Sequence, residues 1–228
     1  MAVLRATDET GVYEVEGLGT KIRLLEWRAG SFYDTVEFVS NGVAAQTPGT
    51  QQYLFQNLTN KQRQHTNLDN NAGRLPALNE LICNRVGGFI QQSMGNTLML
   101  DSDIIKLAMA AYMRVSVNQT RIIFDAPLLT AQSGYGIQGS TTRNATGIAT
   151  TGVPSAAAAP QLLVAQPIGP NDSIGTDSYI QLLNNLWLQT TAVAGADAIP
   201  QPGSMPTFAS SMFVSVFLDG LVKKPATA

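Results

Sequence analysis

The stretch "SSMFVSVFLDGLV" (210–222) puts Met212, Val214, Val216 and Leu218 on one side of an extended chain. A period of two suits a strand and cannot line one face of a helix. The pattern recurs along the chain. "SFYDTVEFVS" (31–40) places Phe32, Val36 and Phe38 on one alternating face, interrupted by Asp34. "QQYLFQNL" (51–58) follows the turn signals Asn41-Gly42 and Pro48-Gly49. "NELICNRVGGFIQQS" (79–93) alternates Leu81, Cys83 and Arg85 against Ile82, Asn84 and Val86, and Gly87-Gly88 marks a bulge or the close approach of another backbone. "YMRVSVN" (112–118), "TRIIFDAPLL" (120–129) and "PQLLVAQPI" (160–168) continue the series. "SYIQLLNNLWLQTT" (178–191) fits both periods and is assigned to strand by its neighbours.

One segment departs from this rhythm. In "LDSDIIKLAMAAYMRVSVN" (100–118), Asp101 or Ser102 can cap a short helix in which Ile104, Ile105, Ala108 and Tyr112 recur at helical spacing, running into the strand "YMRVSVN". About nine or ten strands, one short helix and long Gly- and Pro-bearing loops describe a mainly β chain. The strand–helix alternation of a parallel sheet is missing, so the expected architecture is an antiparallel β-sandwich or barrel. Residues 1–40 read as an N-terminal arm or extra strands, and 41–228 as one β-sandwich domain. Within it a long flexible loop is expected near 133–160, which includes the uncharged "TGIATTGVPSAAAAPQ" (146–161).

Composition narrows the function. Only 13% of residues are charged while 44% are hydrophobic, and the polar remainder is rich in amides and hydroxyls. Such a surface suits packing against copies of the same chain, since neutral hydrogen bonds avoid burying charge. A formal charge of −2 gives no global attraction to phosphate, which argues against general nucleic-acid binding. Lys223 and Lys224, the one adjacent lysine pair, read as a solvated tail. Cys83 is the only cysteine, so neither an intrachain disulfide nor a cysteine zinc cluster can form, and its parity makes it a buried, inert thiol. Acidic residues occupy the place of a signal peptide's apolar core, so synthesis in a cytoplasm without a cleaved signal is expected.

Each chemical motif is weaker than its plain alternative. Gly134, Gly136 and Gly139 have dinucleotide-loop spacing, yet no helix-forming segment follows and no acidic residue lies between Asp125 and Asp172 to hold a ribose. His65, the only histidine, sits in the polar run "NKQRQHTNLDNNAG" and reads as an exposed loop imidazole. Asp101 and Asp103 lack calcium-loop spacing. Trp27 and Trp187 read as core or interface, and Glu14, Glu16, Glu26, Asp34 and Glu37 as outward positions of N-terminal strands. No catalytic, metal or cofactor residue is assigned, and the chain is read as a non-enzyme.

Three segments carry a family likeness: "TNLDNNAGRLPALNELICNRVGGFI" (66–90), "TRIIFDAPLLTAQSGYG" (120–136) and the closing "FVSVFLDGLVKKPA" (213–226). With the Pro-bearing "LLVAQPIGPND" (162–172), their order resembles that of jelly-roll major capsid proteins of tailless icosahedral bacteriophages, over residues 50–225. The resemblance implies two antiparallel sheets in Greek-key order, repeated in many copies as an icosahedral shell within a virion. It leaves open minor coat proteins and an internal lipid membrane as partners. Length favours a single jelly roll with long loops, because two complete rolls would consume nearly every residue. Trp27, Phe32 and Tyr33 are the expected subunit-interface anchors, with Arg74 fixing the loop before Pro76. The rival reading is a carbohydrate-binding jelly roll on a phage spike, with Trp187 or Tyr135 stacking on sugar.

Overall fold

The computed structural model describes residues 4–23, 25–40, 49–56, 58, 61–68, 73–75, 79–92, 107–108, 110–131, 142–143, 149–150, 161–183, 208 and 211–223. Its strands are β1 (Leu4–Ala6), β2 (Val12–Val15), β3 (Thr20–Arg23), β4 (Trp27–Phe38), β5 (Gln51–Tyr53), β6 (Glu80–Gln92), β7 (Ala111–Val117), β8 (Arg121–Pro127), β9 (Thr142–Arg143), β10 (Ala149–Thr150), β11 (Gln161–Ile168), β12 (Tyr179–Leu182) and β13 (Met212–Lys223). A four-residue helix, α1 (Leu128–Ala131), follows β8. The protein is mainly β, every strand pairing is antiparallel, and helix is almost absent among the described residues.

Two four-stranded sheets dominate, in the orders β11-β6-β13-β4 and β5-β12-β7-β8. The strand with the clearest alternation, β13, lies inside the first sheet. It pairs with β4 from Met212↔Phe38 to Lys223↔Trp27, and with β6 from Met212↔Gln92 to Lys223↔Glu80. Met212, Val214, Val216 and Leu218 are fully buried on its inner face. Burying each such side chain contributes about 1.5–3 kcal/mol, which is why the strand with most apolar residues per face takes an interior place. From the second sheet, Met113, Val115, Val117, Ile180 and Leu182 join the same cluster of buried side chains.

β4 begins at Trp27, inside the stretch expected to be an arm or extra strands, and belongs to the first sheet along its whole length. Ahead of it, β1, β2 and β3 form a separate three-stranded sheet. Val15 and Ile22 from this small sheet cluster with Ile82 of β6 and Ala165 of β11, and Trp27 and Leu221 pack against them.

Asp219 pairs with Arg85 but Gly220 pairs with Cys83, so Asn84 is the extra residue of a β-bulge. A Cβ on Gly220 would lie 1.8 Å from the Ile82 carbonyl oxygen. Gly87-Gly88, read as a bulge or the close approach of another backbone, carries no register shift against β13; Gly88 lies beside α1, where an added Cβ would make ordinary contact at 3.4 Å with Ala131 Cβ and 3.5 Å with Leu128 Cδ1.

The short helix expected to run into the strand 112–118 is described only in part. Residues 107, 108 and 110 are helical, and Tyr112, counted at helical spacing and also as the first residue of the expected strand, belongs to β7. Within 178–191, Tyr179–Leu182 is strand and the remainder lies outside the described residues. Most of 133–160 is likewise outside them, apart from the pairing of β9 with β10.

Candidate functional site

β4 is an edge strand of its sheet, so its outward backbone groups need partners. The polar run at 61–68 supplies them. Tyr33 N–H donates to Asn67 Oδ1 at 2.9 Å, Asn67 Nδ2 donates to the Ser31 carbonyl at 2.7 Å, and Thr66 Oγ1 donates to the Tyr33 carbonyl at 3.0 Å. The Tyr33 hydroxyl donates to the Arg63 carbonyl. Amides and hydroxyls do this without charge, as befits a strap lying on a sheet edge.

Under this strap sits Asp34. It has the parity of Phe32, Val36 and Phe38 and is fully buried, which corrects the expectation of an outward carboxylate. Lys61 Nζ donates to Asp34 Oδ1 at 2.7 Å and to Oδ2 at 2.9 Å, and Phe55 N–H donates to Oδ2 at 2.7 Å. Burial pushes the Asp34 carboxyl above the usual carboxylate range; the Lys61 ammonium and the backbone N–H groups of Phe55 and Thr35 oppose that push. Phe55 reaches Asp34 from a left-handed backbone, φ 58°, which is unusual for a bulky buried residue. Strain of this kind persists only where surrounding contacts hold it.

Beside the pair opens a cleft of about 520 Å³, between the end of β4, β5 and the turn at 62–65. Glu37, Val39, Gln52, Tyr53, His65 and Phe213 are among its walls. His65 is half-buried and not the exposed imidazole expected, and its Nδ1 accepts from Gln62 N–H at 3.4 Å. The cleft combines amides, an imidazole and a carboxylate with apolar walls, which suits binding a polar, uncharged group.

A second polar surface lies on the other sheet. Arg114 of β7 donates to Asp125 of β8 through Nε at 3.2 Å and Nη2 at 3.1 Å, and lies 3.6 Å from Asp177. Its guanidinium stands 5.9 Å from the Tyr179 ring centre, and Tyr179 meets Tyr53 edge to face at 6.4 Å. The hydrogen bond from Arg114 holds the Asp125 carboxyl below the usual carboxylate range. Partial burial, then the hydrogen bond to Asp125, raises the Tyr112 hydroxyl.

The expected interface residues have different places. Phe32 is buried in the chain's own core, 6% exposed. Trp27 is half-buried against the N-terminal sheet. Tyr33 is half-buried under the strap, its ring 5.7 Å from that of Phe217. Arg74 is exposed and bridges to Ser173, joining the 73–75 and 173–175 turns; Pro76 lies outside the described residues. So do Trp187, Tyr135, Asp101, Asp103 and the three glycines of 134–139. Lys223 ends β13 and donates to Glu80 at 3.1 Å, so it is not part of a solvated tail. The exposed large apolar residues include Leu25 at 103% and Val39 at 59%. Composition did not single them out.

Among the described residues no three His, Cys, Asp or Glu side chains lie close enough together to hold a metal ion. No described helix is long and apolar enough to cross a membrane. Comparison with protein-family models, with curated proteins and with solved structures gives no match.

Proposed function

We propose that this chain is a structural coat subunit, a single jelly-roll β-sandwich that assembles in many copies into an icosahedral shell. Strand order is the observation that carries the reading. Numbered in chain order, the eight strands of the two large sheets run 1-8-3-6 in one and 2-7-4-5 in the other. Strands 1 and 8, 2 and 7, 3 and 6, and 4 and 5 are neighbours, as they would be in one long hairpin. Rolling that hairpin would send alternate pairs to opposite sheets, so this order supports the two-Greek-key connectivity of a jelly roll. The buried cluster shared by both sheets supports the sandwich.

Fold alone does not determine function. The surface adds the second support. Few charges, the amide-rich strap and a Leu25 side chain with nothing covering it suit a chain that buries its surface against copies of itself. The shell reading carries with it a virion location, synthesis in a host cytoplasm, no catalytic role and no sequence-specific nucleic-acid contact.

Light scattering with negative-stain microscopy of the purified chain tests the proposal. Capsomer-sized rings, sheets or megadalton particles are expected, and Leu25→Asp should abolish them while the far-ultraviolet circular dichroism stays that of the parent. A monomer unchanged by concentration and salt overturns the reading. The aromatic and charged face of Tyr53, Tyr179, Arg114 and Asp177 would then favour the carbohydrate-binding alternative, because rings flanked by hydrogen-bonding groups suit sugar faces and hydroxyls. A glycan panel with Tyr53→Ala as control decides that second reading.

A further inference from the structure

We propose that Lys61 and Asp34 condense into an intramolecular amide, a covalent clamp between β4 and the strap that covers its edge. The geometry assembles the parts of an acyl transfer. Lys61 Nζ is the nucleophile and lies 2.7 and 2.9 Å from the two oxygens of the Asp34 carboxyl, in direct contact with the group it would attack. Phe55 N–H, 2.7 Å from Oδ2, is placed to stabilise the oxygen on which negative charge develops. The donor is on Phe55, the residue whose backbone is held in the left-handed region at φ 58°. Asp34 is 0% exposed, so the reaction would proceed away from bulk water.

The step balances without an outside reagent. A proton moves from the ammonium to the carboxylate, leaving an amine and a carboxylic acid. The carboxyl turns about its Cβ–Cγ bond, a broad torsion, so that its face meets the nitrogen. The N–C bond forms, the C–OH bond breaks, and the departing hydroxyl takes the second proton from nitrogen to leave as water.

The driving force is electrostatic. A buried ion pair has lost hydration that its mutual attraction only partly restores, whereas an amide carries no net charge. In water the ionised acid and amine are favoured over the amide. Here the carboxylate is fully buried while the Lys61 side chain is 19% exposed, so the penalty that tips the balance the other way falls on the Asp34 charge. Burial, which raises the Asp34 carboxyl, also favours the neutral acid that the step requires.

Trypsin provides a direct test, because no lysine or arginine lies between Arg28 and Lys61. The full-length folded protein is incubated, denatured, digested and weighed. The expected product is a looped peptide spanning 29–63, lighter than its sequence by one water and uncleaved after Lys61. Asp34→Ala and Lys61→Met should each restore the full mass, which is read on the denatured chain whether or not the variant folds. A linear 29–61 peptide at full mass overturns the proposal. So does a water loss with Lys61 still cleaved, which would indicate a succinimide at Asp34. The inference does not rest on shell assembly, and either can fail without the other.

Discussion

Gly220→Ala tests whether the bulge between β6 and β13 is built as described. A Cβ at this position would lie 1.8 Å from the Ile82 carbonyl oxygen, 2.8 Å from its carbon and 3.1 Å from Cys83 Cα. All three atoms are backbone or Cα, so no side-chain rotation can relieve the clash and the two strands must part. Opening the ladder there gives up about two backbone hydrogen bonds at roughly 1 kcal/mol each. Displacing the packed residues around it costs about 1–3 kcal/mol more. The expected loss is therefore about 3–5 kcal/mol, a large share of the roughly 5–15 kcal/mol of a natural domain.

Gly30, the direct partner of Gly220 on β4, supplies the control. Its added Cβ would sit 3.1 Å from Val222 Cγ2, a side-chain methyl that can shift, so Gly30→Ala should cost less than about 1 kcal/mol. Urea unfolding of dilute, unassembled protein gives both midpoints, with tryptophan fluorescence as the probe. If Gly220→Ala unfolds at the same midpoint as Gly30→Ala with an unchanged slope, the bulge at Asn84 and the argument from it are wrong.

Two further outcomes follow from single side chains. Because Arg114 holds the folded-state carboxyl of Asp125 below its unfolded value, the stability it contributes is present above the unfolded value near pH 3.9 and is lost as pH falls through the folded one. Asp125→Asn should lower the melting temperature slightly at neutral pH, by less at high salt, and not at all in strong acid; a penalty equal at every pH would refute the pairing. Cys83 is fully buried, its thiol pushed up to about 12, so a disulfide reagent at pH 8 should label it only after unfolding. Rapid labelling of the native protein would contradict that burial.

Strand positions were largely legible because alternation is local. Residues two apart share a face whatever the strand pairs with, and "MFVSVFLDGLV" announced β13 on that basis. The same parity contained Asp34. Its place between Phe32 and Val36 already put it on the buried face, and grouping it with nearby surface carboxylates hid the signal. His65 and Lys61 could not be placed from sequence, since a polar run reads as solvated until an edge strand is found beneath it.

By itself the sequence determined the β class, most of the inward sets of residues and a buried Cys83, all properties of neighbours along the chain. Tertiary structure alone decided which strands meet, that β4 is an edge in need of a strap, that Gly220 admits a carbonyl, and that Lys61 finds Asp34 across 27 residues. The reason is physical. Periodicity says which side of a strand is dry, but the partner that covers it is selected by burial and hydrogen bonding summed over distant segments.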